Sequence, residues 1–144
     1  LHNLQYWRLL PYLGFGAGAH GYAAGCRTAN VLSPVAYIRR LEENEISQYT
    51  FPSTPATVER LPVDRQTEMG EMMMMGLRLV QEGVSESIFL ERFGVDLDQV
   101  FGSEINRLVR MGLLEWVSGI SEGRNLRLTK PGRLLGNRVF REFI

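Results

Sequence analysis

The second half of the chain is divided at short intervals by residues that begin or end helices, and these constrain its fold most. Ser85 precedes a helical pattern of apolar residues that stops at Gly94, and Asp96 or Asp98 opens a longer pattern that stops at Gly112. Serine and aspartate cap helix N-termini, whereas glycine ends helices because it tolerates left-handed backbone. The sequence therefore predicts two closely connected helices. Their predicted inward-facing residues are Ile88, Phe89, Phe93, Leu97, Phe101, Ile105 and Leu108.

One further helix precedes these two, and a hairpin and a last helix follow them. A helix is predicted over 64–82, capped by Asp64, and strands are predicted at 113–117 and 125–128 with turn residues between them. Thr129 opens the last helix. The outer two helices have as apolar positions Met69, Met72, Met73, Gly76, Val80, Leu135, Val139, Phe140 and Phe143. Three helices, a hairpin and a closing helix is the order of a winged-helix domain.

The first 63 residues carry weaker signals. Residues 9–14 predict a short buried strand, and the Gly-, Ala- and Asn-rich stretch 15–32 predicts a long loop. Ser33 followed by proline predicts a helix that ends near Asn44, with Tyr37, Ile38 and Leu41 as its apolar stripe. Residues 47–63, with three prolines, predict a linker. The expected fold class is mainly α with a small β hairpin (α+β).

Composition narrows the functional classes. Lys+Arg and Asp+Glu are 16 each in 144 residues, which gives a formal net charge of +0. A duplex-binding domain usually has a basic excess, and the predicted recognition helix 98–111 and wing 119–124 mix arginines with glutamates. The single Cys26 excludes an internal disulfide or a cysteine-only metal cluster in this chain. No apolar run is long enough to span a membrane and no export signal is present, so we expect the cytoplasm.

Two groups of residues near the N-terminus could meet a cofactor. His2 offers an imidazole for haem iron, and Tyr6 and Trp7 offer rings that suit a porphyrin, although a lone histidine near a terminus is usually just a solvated residue. The glycine run Gly14–His20 either lets a cofactor approach backbone or packs closely on another element. A dinucleotide fingerprint is excluded, because no helix and acidic residue follow at the required spacing. No nucleophile-and-base pair or carboxylate cluster is visible, so we name no catalytic residue.

The motif His2-Asn3-x-x-Tyr6-Trp7, followed by Tyr12-x-Gly14-x-Gly16-x-Gly18-Ala19-His20, Arg27-x-x-Asn30 and Tyr37, resembles one family. It is similar to the C-terminal part of the oxygen-independent coproporphyrinogen III oxidase-like radical SAM proteins, and most similar to their haem chaperone (HemW) branch. Glu71-Met72-Met73-Met74, Gly112-Leu113-Leu114 and Leu128-Thr129-x-x-Gly132 follow the helical C-terminal domain of these proteins.

The resemblance implies that residues 1–46 are the remnant of a partial β/α barrel with its following helix, that 47–63 are a linker, and that 64–144 form a winged-helix-like domain. It also implies a longer parent that binds S-adenosylmethionine and a [4Fe-4S] cluster, whose cysteine ligands are absent here. His2 is then the expected haem ligand. The remaining expected contacts are Asn3, Tyr6 and Trp7 to haem, and Gly14, Gly16, Gly18, Ala19 and His20 near S-adenosylmethionine. Gly21 departs from the family, which often has serine there.

Three functions follow as alternatives. The first is haem binding and delivery in the parent, with this chain inactive as a fragment. The second is a parent that decarboxylates coproporphyrinogen III by radical oxidation, and the third, disfavoured by the charge balance, is a winged-helix nucleic-acid binder. The expected partners are haem or a porphyrin and the parent's N-terminal barrel, and a peripheral membrane contact and self-association stay open.

Overall fold

The structure, a computed structural model, describes residues 2–118 and 123–144, without the side chains of His2 and Asn3. It divides into two units. The smaller unit is Leu10–Arg65, and the larger unit joins Gln66–Ile144 with the stretch that ends at Leu9. The helices are α1 His2–Trp7, α2 Pro34–Glu43, α3 Arg65–Gly76, α4 Glu86–Phe93, α5 Leu97–Arg110, α6 Lys130–Leu134 and α7 Gly136–Phe140. The strands are β1 His20–Ala23, β2 Cys26–Asn30, β3 Thr57–Pro62, β4 Val84–Ser85, β5 Leu114–Ser118 and β6 Arg124–Leu128.

The mixed α and β class predicted from sequence is confirmed, but the β content is larger than one hairpin. The smaller unit contains a three-stranded antiparallel sheet of order β1-β2-β3, and the larger unit contains another of order β4-β6-β5. Short 3-10 helices lie at Ile46–Gln48 and Arg141–Phe143. None of the described helices is both long enough and apolar enough to cross a membrane.

In the smaller unit, the strand predicted at 9–14 is wrong. Only Tyr12 pairs with another strand, through a single bridge to Tyr22, while Leu10 and Leu13 are 41% and 46% exposed. Pro11 lacks an amide hydrogen and Gly14 adds flexibility, and both oppose a continuous ladder. The isolated bridge leaves this stretch as an irregular edge of the β1–β2 hairpin.

The loop predicted over 15–32 is also wrong, because β1 and β2 occupy its second half. The two strands reverse at Ala24 and Gly25, whose φ angles are +49° and +67°. Two consecutive left-handed residues make the tight turn that suits the twist of a hairpin. Alanine in the first of these positions is unusual, which is why the turn was not recognised in the sequence.

The stretch predicted as a linker, 47–63, is irregular only in its first part. Its second part forms β3, which pairs with β2 from Cys26 opposite Pro62 to Asn30 opposite Thr57. An edge strand tolerates a proline at its end, since one side of the strand needs no partner. By contrast, α2 is as predicted: it starts after Ser33, whose hydroxyl accepts from the Ala36 amide at 3.3 Å, and its C-cap is Asn44.

The larger unit is built around one apolar cluster, as the capping pattern predicts. The Ser85 hydroxyl accepts from the Ile88 amide at 3.4 Å, Gly94 ends α4 with left-handed backbone, and Asp96 is the N-cap of α5. The apolar spacing of α5 buries all four predicted residues. The fully buried members of the cluster are Met73, Leu77, Phe89, Leu97, Ile105, Leu126 and Val139, each 0% exposed.

Three predictions for the larger unit need correction. Helix α3 ends at Gly76 rather than Glu82, because the Arg78 and Leu79 amides bond the carbonyls three residues back and tighten the chain into turns. Ile88 is 52% exposed instead of facing inward. The last helix starts at its predicted Thr129 cap but breaks at Leu135, whose φ of −110° separates α6 from α7. Strand β4 was not predicted, and most of the predicted wing lies outside the described residues.

Candidate functional site

The predicted haem-binding motif forms a helix of its own. His2, Asn3, Tyr6 and Trp7 all lie in α1, a conformation that the sequence did not indicate. Four-residue spacing brings Tyr6 one turn beyond His2, and Trp7 one turn beyond Asn3. Tyr6 is half-buried and Trp7 is 37% exposed, so part of each ring surface can still be covered by a ligand. An imidazole-bearing residue beside two partly open aromatic rings fits the chemistry of a porphyrin contact.

This motif and the predicted glycine loop fall in different units. Residues up to Leu9 group with the helical second half of the chain, whereas Gly14, Gly16, Gly18, Ala19 and His20 lie in the unit Leu10–Arg65. The sequence interpretation had placed both in one barrel remnant spanning residues 1–46. The structure thus associates α1 with the domain that begins after the proline-containing stretch.

Asn30 holds the glycine loop, a role that sequence reasoning missed. This side chain is 7% exposed, and its amide donates to the carbonyls of Gly14 at 3.1 Å and Gly16 at 3.0 Å. The Gly16 amide donates to the Tyr37 hydroxyl at 3.1 Å. Tyr37 had been assigned to an apolar stripe, although its place in the family resemblance together with Asn30 was a usable signal. The loop is therefore fixed by side chains from β2 and α2.

The glycines of the loop differ in how much space each leaves for a side chain. A side chain at Gly14 would overlap the His20 carbonyl, and one at Gly18 would crowd Leu32. Gly16 has a φ of +103°, and no atom lies within 4 Å of where its Cβ would stand. Close packing thus explains Gly14, whereas the left-handed backbone at Gly16 and Gly18 favours glycine at both positions, and Gly16 is the one of the three with open space where a Cβ would stand. Ala19 is half-buried, and its carbonyl accepts a hydrogen bond from the backbone amide of Asn30. His20 is exposed at the start of β1.

A cavity of about 480 Å³ lies beside the loop within the smaller unit. Its lining includes Phe15, Asn30, Tyr37, Tyr49 and Phe51. Aromatic rings with a few polar groups are typical of small-molecule sites. The cavity therefore adds binding volume next to Gly14 and Phe15 of the loop.

A metal cluster does not fit the part of the chain that the structure describes. Within it, no group of three or more His, Cys, Asp and Glu residues could hold a metal ion. Cys26 is a free thiol, 5% exposed, in β2. The chain thus has no cysteine set for a [4Fe-4S] cluster, in agreement with its count of one cysteine.

Two of the arginines that a nucleic-acid reader would use, Arg107 and Arg124, are engaged in ion pairs. Arg107 of the predicted recognition helix pairs with Glu142, and Arg124 at the base of the predicted wing pairs with Glu86 at 2.6 Å and Asp98 at 3.4 Å. The hydrogen bonds that Arg124 donates to the Glu86 carboxylate raise the pKa of its guanidinium above the usual value. Phosphate contacts by these two side chains would have to replace existing carboxylate partners.

The larger unit is therefore a helical domain with a small three-stranded antiparallel sheet, and it includes the aromatic helix α1. Residues 63–135 match the family model of the HemN C-terminal domain, about half of the chain. The chain therefore belongs to the HemN C-terminal domain family.

Known relatives extend the match to nearly the whole chain. The heme chaperone HemW of Bacillus subtilis (strain 168) is 38% identical over 99% of this chain, and that of Lactococcus lactis subsp. lactis (strain IL1403) is 29% identical over 99%. The chain spans 34% and 33% of these relatives, about a third of their length.

The fold is also similar to a solved structure. This is coproporphyrinogen III oxidase (HemN) from Escherichia coli, described as a radical SAM enzyme, with a TM-score of 0.58 and 16% identity. The match covers 93% of this chain and 28% of that one. At this identity the likeness shows the fold alone.

Proposed function

We propose that the chain is the C-terminal portion of a radical SAM protein of haem metabolism, and that it takes part in binding haem for delivery. The observation that carries this proposal is the 38% identity to a protein named heme chaperone HemW over 99% of the chain. The helix α1 adds support, because it gathers a histidine and two aromatic residues. Haem is the cargo in this proposal.

The proposed contacts to haem come from α1. His2 ligates the iron through an imidazole nitrogen, while Tyr6 and Trp7 cover part of the porphyrin face and Asn3 completes the polar contacts. The partial exposure of Tyr6 and Trp7 supports their part of this assignment, since a fully buried Trp7 would leave no ring surface for a ligand.

The glycine loop is assigned to the neighbourhood of S-adenosylmethionine in the longer protein. Gly16 is the position best suited to close approach, and Asn30 and Tyr37 keep its backbone in place. In this proposal, the [4Fe-4S] cluster and the N-terminal barrel are supplied by parts of the longer protein outside these 144 residues. We therefore assign no catalytic step to this chain.

A haem titration of the 144-residue chain tests whether His2 ligates the haem iron. The sequence contains two histidines, His2 and His20, so His20→Ala is a matched control for His2→Ala. We expect the wild type and His20→Ala to produce the same Soret shift, and His2→Ala to lose it. Equal shifts in all three proteins would eliminate His2 as the ligand.

A second candidate function is that of an oxygen-independent coproporphyrinogen III oxidase. The match of residues 63–135 to the HemN C-terminal domain model favours it. A full-length protein containing this chain, loaded with its cluster under anaerobic conditions, would then release carbon dioxide from the propionates of coproporphyrinogen III. Absence of turnover, with haem binding retained, would leave the chaperone function.

A further inference from the structure

The end of α1 is tied to the rest of the larger unit by two arginines. Arg8 directly follows the helix, and its guanidinium donates to both carboxylate oxygens of Glu82 at 3.0 and 3.1 Å. Arg92, in α4, donates through Nη1 to the carbonyl of Leu9 at 2.9 Å. Each bond joins residues more than 70 positions apart in sequence. The two arginines thus connect the segment after the motif to the C-terminal domain.

Arg92 is held in place by an ion pair of its own. Its Nε and Nη2 donate to one oxygen of Glu68, in α3, at 3.1 and 2.5 Å. The side chains of Arg92 and Glu68 are 24% and 20% exposed, and the guanidinium lies 5.6 Å from the centroid of the Phe93 ring. Because partial burial limits screening by water, this pair orients Arg92 more firmly than a surface pair would. Glu68 therefore presents Arg92 to the Leu9 carbonyl.

Leu9 is constrained at both its backbone and its side chain. Its φ of +49° lies in the left-handed region, which is unfavourable for a residue other than glycine. The Leu9 side chain packs against the apolar cluster of the larger unit. A left-handed residue shortly after a helix commonly ends it, so this conformation sets where α1 stops.

The described part of α1 is too short to be stable as an isolated helix. It has six residues, whereas an isolated helix in water needs roughly 12–15 to be even marginally stable. The spacing of His2 and Tyr6 on one helical turn therefore depends on the contacts that hold the helix end.

We infer that Arg92, Glu68 and the Arg8–Glu82 pair are positioning residues: they hold α1 in the geometry that the proposed haem site requires. The C-terminal domain thus serves as the support for the ligand helix. This inference rests on the proposed function, in which α1 supplies the haem contacts. It adds that four charged residues outside the motif control haem affinity without touching the ligand.

A charge swap in the 144-residue chain tests the exposed pair. Arg8→Glu and Glu82→Arg each place like charges together, so we expect each to raise the haem dissociation constant on the order of tenfold. The double variant Arg8→Glu/Glu82→Arg should restore the affinity. Arg127→Ala is the control, because Arg127 pairs with Glu115 across β5 and β6 at 2.8 Å with similar exposure, away from α1.

Arg92→Ala should weaken haem binding more than either single swap, since it removes the bond to Leu9 and leaves Glu68 without its partner. Hydrogen exchange at the Arg8 and Leu9 amides, which bond the Leu4 and Tyr6 carbonyls, reports on α1 without haem. Exchange should accelerate in Arg92→Ala and in each single swap, and it should return to the wild-type rate in the double swap. A melting curve separates loss of the anchor from global unfolding.

The outcomes distinguish this inference from the proposed function. No Soret shift in the wild type would contradict the proposed function, and hydrogen exchange would then still decide whether these residues hold α1. Wild-type affinity and unchanged exchange in the Arg8, Glu82 and Arg92 variants would overturn the inference while leaving haem binding intact. Failure of the double swap to recover either quantity would also overturn the role of the pair.

Discussion

The two units of this molecule are stabilised in different ways. The larger unit buries one continuous apolar cluster that includes Phe89, Phe101 and Phe143. The buried apolar side chains of the smaller unit are fewer, and most of them are small: Tyr22, Ala23, Cys26, Pro52, Pro55 and Ala56. In the smaller unit, large apolar residues stay on the surface. Examples are Phe15 and Leu32, each 82% exposed, Val35, 76% exposed, and Ile46, 67% exposed.

This difference shows which stabilising contacts can be predicted from the local sequence. The smaller unit is held by β-ladder hydrogen bonds and by the Asn30 side chain, contacts whose partners lie far apart in sequence. Extensive exposed apolar surface often marks an interaction site, which is consistent with the proposal that this unit works within a longer protein. The larger unit depends on side-chain burial, which leaves a periodic signal in the sequence.

The largest expected effect comes from opening the larger core. Phe101 is 4% exposed, and its ring centroid lies 5.4 Å from that of Phe143 and 6.3 Å from that of Phe89. Phe101→Ala should lower the free energy of unfolding by about 3–5 kcal/mol, because it removes a large buried ring and leaves a cavity. Urea denaturation followed by circular dichroism measures this. Phe15→Ala, at an exposed phenylalanine of the smaller unit, should change the free energy by less than about 0.5 kcal/mol.

An intermediate effect is expected in the smaller unit from Asn30→Ala. The substitution leaves the Gly14 and Gly16 carbonyls without their shared donor, at an expected cost of about 1–3 kcal/mol. Amide exchange at Gly18 and Tyr22 should accelerate, while α5 amides keep their protection. Asn44→Ala is the control, because Asn44 makes one local bond to the Arg40 carbonyl. Equal effects of both substitutions would argue against a special role for Asn30.

The smallest effect is a gain in stability in the larger unit. Gly102 lies inside α5, where the nearest atom to an added Cβ is 3.9 Å away, so Gly102→Ala should stabilise by about 0.5–1 kcal/mol. Gly132→Ala is the matched contrast, since its Cβ would overlap the Leu113 carbonyl. A rise in melting temperature for the first variant and a fall for the second is expected. A fall in both would show that α5 has no room at Gly102.

Much of the larger unit could be predicted from the sequence because its signals are local. Ser85, Gly94, Asp96 and Thr129 each act on the adjacent turn, and α5 repeats its apolar residues with helical spacing. The break at Leu135 was not predicted, although Gly136 directly follows it. Leu134 and Leu135 are 86% and 44% exposed, so the apolar stripe of the predicted single helix is interrupted at the break.

The smaller unit was predicted less well because its structure depends on long-range pairing. β3 reaches β2 across a segment that contains α2. Burial alternates along β2, but two of its three buried residues, Thr28 and Asn30, are polar, and β3 is mostly exposed, so neither strand shows the apolar alternation that predicts a half-buried strand. The candidate haem motif was recognised from its residues through the family resemblance. Its helical form and its anchors Arg92 and Glu82 could not be, because the anchoring partners are more than 70 residues away.

Haem titration of the wild-type chain, His2→Ala and His20→Ala tests the central claim most directly. The account predicts that the Soret shift is present in the wild type and in His20→Ala and is lost in His2→Ala. A shift that persists in His2→Ala, or is lost only in His20→Ala, would contradict it.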